Sequence, residues 1–253
     1  MLSELLSLNI FGFLLIFARV GTAFMTLPGF SATYVSTRAR LLIGLTVSFV
    51  ISPLVIPTLP VLPPTPVGLA LLVAGEAIVG AFFGAIGRIL LGAMHTAGTL
   101  IAYLSSMANA FIQDPISNQQ GSIIAGFLTS VALIMIFVTD MHHVMLRAVT
   151  ESYAVFPPGE MPQLGDMAQL LTVHVASAFK LGIQLASPFL LTGMTHYVLL
   201  GLLGRLMPAL PVFFFGLPIQ VATQIWILAL TLSGIMLMFM TQFAEVFGAF
   251  VAP

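Results

Sequence analysis

The chain has 253 residues, 59% of them hydrophobic and only 6% charged, with a mean hydropathy of +1.14, whereas ordinary soluble domains are roughly a quarter charged. A formal net charge of -1, from seven Lys plus Arg against eight Asp plus Glu, leaves no basic field to hold the phosphates of a nucleic acid. With no cysteine there is no disulfide framework, no thiolate nucleophile and no thiolate metal site, and the composition is that of a membrane-embedded protein.

The first segment, MLSELLSLNIFGFLLIFARVG, opens with Glu4 and meets no positive charge before Arg19. It lacks the basic start of a secretory signal and is expected to be retained. Apolar runs of about the 20 residues needed to cross a hydrocarbon core stand near 9–27, 41–59, 67–91, 93–112, 122–139, 176–204 and 217–247. None alternates apolar with polar residues, and all are longer than strands, so the expected fold is all-α. Prolines punctuate the runs at Pro28, from Pro53 to Pro66 in SPLVIPTLPVLPPTP, at Pro115, Pro157, Pro158 and Pro162, and at Pro208, Pro211 and Pro218. Most are expected at helix ends, because proline lacks the amide donor and clashes with the preceding turn. The one stretch of soluble character, about Asp140 to Asp166, is too short for a catalytic domain, and a single domain over 1–253 is the simplest count. Arg38 with Arg40 forms the only clear basic loop cluster, which places the loop at 28–40 on the cytoplasmic side.

Within GEAIVGAFFGAIGRILLGAMHTAG, Glu76, Gly80, Gly84, Arg88 and Gly92 recur every four residues and present a broad helical face that a neighbour can approach closely. Such a face serves either packing between subunits, with Glu76 and Arg88 buried in protein, or ordinary helix packing with snorkelling charges. Further on, Asp140, His143, Arg147 and Glu151 fall at spacings of three, four and four, on one side of a helix. His142 and His143 beside Asp140 invite a metal reading, but neighbouring helical residues point about 100° apart, so a half-solvated helix end is the expectation. His95, His174 and His196 stand alone in apolar sequence, as satisfied packing residues do. No nucleophile with a base, paired carboxylates, glycine-rich phosphate loop or zinc helix motif is present. Neither catalysis nor a cofactor is expected.

The stretch MANAFIQDPISNQQGS, Met107 to Ser122, is polar yet holds one charge, Asp114. Pro115 breaks any helix there, and Asp114 can satisfy nearby amides in an Asx-type turn. Asn109, Gln113, Asn118, Gln119 and Gln120 offer neutral donors and acceptors. Such a segment is either a loop outside the membrane or backbone that lines a water-filled cavity. Near the end, Pro208, Pro211 and Pro218 surround Phe213, Phe214 and Phe215, where a long apolar hairpin turns. The aromatics suit a lipid interface or a wedge between subunits, and Arg205 before them suits a buried ion pair between subunits.

Three stretches together resemble the type III secretion export-gate family FliR/SpaR/YscT/HrcT: RVGTAFMTLPGFSATYVSTRARLLIGLTVSFVISP, GTLIAYLSSMANAFIQDPISNQQGSIIAGFLTSVALIMIF and GLLGRLMPALPVFFFGLPIQV. Gly204 stands where that family often has Asn, and Ile116 where a small residue is common. The resemblance implies helical hairpins arranged in a spiral and not a conventional bundle. It implies a non-enzymatic, pore-forming subunit of the bacterial inner membrane at the flagellar basal body, assembled with FliP and FliQ and contacting FlhB, FlhA and membrane lipid. Unfolded rod, hook and filament proteins would be the cargo. It further implies a pore plug formed by the loop near 107–122, with Met107, Asn109, Phe111, Gln113, Asp114, Pro115, Asn118, Gln119 and Gln120. Packing between subunits would fall to Glu76, Gly80, Gly84, Arg88, Arg205, Pro208, Phe213, Phe214, Phe215 and Pro218. The alternatives are a virulence counterpart and a free-standing transporter, the latter motivated by the seven apolar runs with Glu76, Arg88 and Lys180 in or beside them.

Overall fold

Helix α1, Leu2–Thr26, opens a computed structural model that describes residues 2–107, 111–113, 120–208 and 211–251. Its buried residues Leu15, Ile16, Val20, Ala23 and Phe24 recur at spacings near 3.6, the stripe by which a helix packs on its neighbours. Helix α2, Thr37–Val55, begins behind Ser36, whose side chain accepts from the Ala39 amide at 3.2 Å. That cap moves Arg38 and Arg40 out of the expected loop and into the first turn of the helix, where the dipole disfavours cations. Arg40 compensates by reaching back over the turn, its Nη2 donating to the carbonyls of Ala32 and Val35 at 2.9 Å each.

A short 3-10 turn, Ile56–Thr58, leads to α3, Pro66–Leu104, with proline at its first position, where the amide would have no partner in the helix. The expected division between runs 67–91 and 93–112 is absent: α3 runs through Gly92 for 39 residues, since one glycine costs a helix only about 1 kcal/mol. After the polar loop come α4, Ile123–Val138, and α5, Met141–Val155, bent by 73° at a short break that contains Asp140. Helix α6, Leu164–Leu206, has 43 residues and α7, Val212–Gly248, has 37. Pro53 lies inside α2, Pro188 inside α6 and Pro218 inside α7, so these three do not mark helix ends. At 1.5 Å per residue α3, α6 and α7 are each about 55–65 Å long, nearly twice a hydrocarbon core of about 30 Å.

Among the described residues the fold is all-helical apart from one small ladder. Four of the described helices are long and apolar enough to cross a membrane, or five spans when the bent α4–α5 pair counts as one. The ladder sits within the polar loop: β1, Phe111–Gln113, pairs antiparallel with β2, Gln120–Ser122, in the register Phe111 with Ser122, Ile112 with Gly121 and Gln113 with Gln120.

The chain forms two compact units. The first comprises Met1–Ile89, Phe137–Val175 and Phe243–Pro253, and its core includes Leu15, Phe83, Ile86, Met145 and Phe247. The second comprises Leu90–Ile136 and Ala176–Gln242, with Met94, Ala97, Leu128, Phe189 and Phe239 in its core. Large apolar side chains also cover exposed faces of α6 and α7 in the second unit, Leu191, Met194, Trp226 and Leu237 among them. Such faces suit lipid or another apolar helix, not water.

Candidate functional site

In the first unit Arg19 is 1% exposed and Glu76 4%, two charges that an apolar interior accepts only as partners. Arg19 Nε donates to Glu76 Oε2 at 2.6 Å, Nη1 to Ser152 Oγ at 3.1 Å and Nη2 to the Phe156 carbonyl at 3.0 Å. The guanidinium carbon also lies 3.9 Å from the centre of the Tyr153 ring, so α1, α3 and α5 converge on one cation. A cavity of about 290 Å³ opens beside the pair, with Glu160, Gln163 and Asp166 in its lining.

The four-residue face of α3 meets α1 of the same chain. A Cβ on Gly80 would strike the Arg19 carbonyl and Thr22 Oγ1, and one on Gly84 would strike Thr26. The glycines therefore allow the close backbone approach that carries Glu76 to Arg19. Arg88 is exposed, and its Nε donates to the Thr26 carbonyl at 2.9 Å, satisfying the C-terminal turn of α1. Gly92 has open space where its Cβ would stand.

In the second unit the polar loop is tied at both feet. Ser106 adopts a positive φ of 58° where α3 stops, and the Met107 amide donates to the Ala102 carbonyl at 2.9 Å. Buried Gln220 of α7 caps that end, its Nε2 donating to the Leu104 carbonyl at 2.6 Å while its Oε1 accepts from Ser106 Oγ at 3.3 Å. At the other foot Ser122 Oγ accepts from the Ala125 amide at 3.1 Å and donates to the Gly98 carbonyl at 3.4 Å. Gly98 has no room for a Cβ against the Ala125 backbone. Phe111, Gln113 and Gln120 belong to the ladder, whereas Asn109, Asp114, Pro115, Asn118 and Gln119 lie outside the described residues. Sequence reasoning misses Gln220 and Gln224, whose signal is a pair of amides one helical turn apart in an apolar run.

The late motif forms the turn between α6 and α7. Arg205 stands exposed in the last turn of α6, where its charge complements the helix dipole. Pro208 follows the helix end, and Phe214 and Phe215 are exposed at the start of α7. Of Phe213 only the backbone, in the first turn of α7, is described. The ring of His196 lies 3.1 Å from the Gly216 carbonyl through Nε2, as a packing histidine does. At the half-solvated start of α5 the imidazoles of His142 and His143 converge to 4.1 Å between centres, because side-chain rotation overcomes the divergence of their Cβ directions. One ligand-type atom from each of Asp140, His142 and His143 lies within 4.8 Å of the others.

Residues 10–246 match the model of the family described as "Bacterial export proteins, family 1". The chain is 33% identical to the "Flagellar biosynthetic protein FliR" of Caulobacter vibrioides over 93% of its own length and 94% of that protein's. Proteins of the same name from Bacillus subtilis and Escherichia coli are 27% and 25% identical, over 88% and 91% of this chain and 86% and 87% of theirs. A match over nearly the whole helical framework, in a chain with four or five candidate membrane spans among the described residues, makes this protein a member of the bacterial export proteins, family 1, the family of the flagellar component FliR.

Proposed function

We propose that the chain is a structural, pore-forming subunit of the flagellar type III export gate in the bacterial inner membrane, at the flagellar basal body. It assembles with FliP and FliQ, contacts FlhB and FlhA, and passes unfolded rod, hook and filament proteins. The polar loop near 107–122 closes the channel as a plug. The observation that carries this reading is the loop's construction: a neutral antiparallel ladder whose two feet are tied to helix ends by Gln220, Ser106 and Ser122. Non-helical backbone at membrane depth is tolerated where it is buried in protein or lines a water-filled cavity. Neutral amides close such a space by hydrogen bonding without gripping charged cargo. The relatives named for flagellar biosynthesis favour the flagellar system over a virulence counterpart.

The three long helices fit the same reading, since each outruns a hydrocarbon core and needs protein neighbours beyond it. The glycine face of α3 is taken up within the chain at Gly80 and Gly84. Arg205, Pro208, Phe213, Phe214, Phe215 and Pro218 remain as the contacts offered to other subunits. The test replaces 112–121 with a short Gly-Ser link and keeps both feet, with FliP and FliQ co-expressed. Cells should become permeable to small ions and solutes. An intact permeability barrier in cells that still assemble the complex would sink the plug assignment.

A further inference from the structure

We propose that Asp140, His142 and His143 form a binding site for a divalent transition-metal ion of the zinc type, at the start of α5. Two imidazoles and a carboxylate are the donor set that borderline metals take in preference to magnesium or calcium. The geometry is close to what such an ion needs. His143 Nδ1 and Asp140 Oδ1 stand 3.5 Å apart, against about 3.4 Å between two ligands of a tetrahedral site with bonds near 2.1 Å. The widest separation in the group, within 4.8 Å, closes by rotation of Asp140 and His143, whose side chains are exposed.

Three further features prepare the site. Asp140 occupies the N-cap position of α5 in the left-handed region, φ 59° and ψ 14°, and its side chain makes no capping hydrogen bond. An aspartate at that position ordinarily caps; here its carboxylate faces His143 instead. His142 Nδ1 is buried and has no hydrogen-bond partner among the described residues, a cost that a ligand or a bridging water removes. The His142 ring is held in place by stacking on Phe137 at 5.0 Å, and Phe137 packs in turn on Phe30. Packed support of this kind presets a ligand's orientation before the ion arrives. Three protein ligands leave at least one position for water or for a group from elsewhere.

The test uses the full chain without a polyhistidine tag, purified in detergent, in competition with a chromophoric chelator for Zn2+. One equivalent of Zn2+ should bind. Asp140→Asn and His143→Gln, both at exposed positions, should each weaken binding by at least about tenfold, the loss that follows even from removing a ligand's supporting partner. His174→Gln should leave the affinity unchanged. Cobalt(II) provides a reading on the unmodified chain: the visible bands of a low-coordinate imidazole-bound ion should appear and vanish when Zn2+ is added. No saturable zinc uptake, an affinity unchanged in Asp140→Asn and His143→Gln, or cobalt bands absent from the unmodified chain would each overturn the assignment.

Discussion

Among the described residues, the buried polar side chains of the first unit are Arg19, Ser48, Glu76 and Ser152; those of the second are Ser105, Ser122, Thr129, Gln220 and Gln224. Both units hide polar groups under apolar helices, but among the described residues only the first buries charge. The chemistry explains what each arrangement is good for. A buried ion pair has few acceptable geometries, because moving either partner leaves a charge without its counter-ion. Arg19 thus fixes α1, α3 and α5 to one another. Neutral amides and hydroxyls lose less when a bond is exchanged, so Gln220 and Ser122 can hold the feet of the polar loop at a modest energetic cost. The first unit is built to keep one arrangement and the second to hold a segment by replaceable bonds.

The largest expected effect breaks the charged side of this contrast. Glu76→Leu leaves the Arg19 guanidinium buried without its counter-ion and should destabilise the chain by about 3–5 kcal/mol. The double substitution Arg19→Met with Glu76→Leu removes both charges and should be less destabilised than Glu76→Leu alone. Thermal unfolding of the detergent-purified protein measures both. A Glu76→Leu protein no less stable than Arg88→Met, which alters an exposed arginine, would show that the pair does not hold the unit together.

How much of this is legible in the sequence follows from how local each signal is. Helices α1, α2, α3, α4, α6 and α7 are written in the apolar runs, but the continuity of α3 through Gly92 is not: a glycine looks alike in a break and in an unbroken helix. The stripe of Asp140, His143, Arg147 and Glu151 marks α5 by its spacing and lies away from the buried Met145, Ala148 and Val149. Glu76 is recognisable as a charge needing protein around it, yet its partner lies 57 residues away on α1, and no periodicity reports so distant a pairing. Arg88 shares the four-residue spacing of Glu76 but reaches the end of α1, where a carbonyl is available. The convergence of His142 and His143 depends on side-chain rotation, which Cβ directions alone do not give.

A smaller effect breaks the neutral side. Gln220→Met fills similar space but leaves the Leu104 carbonyl without its donor and Ser106 Oγ without its acceptor. The expected loss is about 1–3 kcal/mol, below that of Glu76→Leu. It should also be more local, with faster amide hydrogen exchange at the end of α3 and in the ladder than in α1. Exchange that rises equally in α1 would mean that the bond supports the whole chain and that the contrast between the units is wrong.

The smallest effect concerns Gly92, which continues the spacing of Gly80 and Gly84 but whose Cβ position meets none of the described residues. Alanine there adds a methyl group into open space and removes a glycine from a helix interior, so Gly92→Ala should stabilise the isolated chain by up to about 1 kcal/mol. The same substitution distinguishes two uses of the face once other subunits are present. If the close approach permitted by the glycines ends with α1, recovery of the assembled complex is unchanged, and this is the outcome expected from the contacts of Gly80 and Gly84. A stabilised chain that assembles poorly would instead place a neighbouring helix against Gly92, because one methyl group disturbs a partner that approaches as closely as α1 does at Gly80. Pull-down yield of the co-expressed complex, set beside the melting temperature of the chain alone, separates the two results.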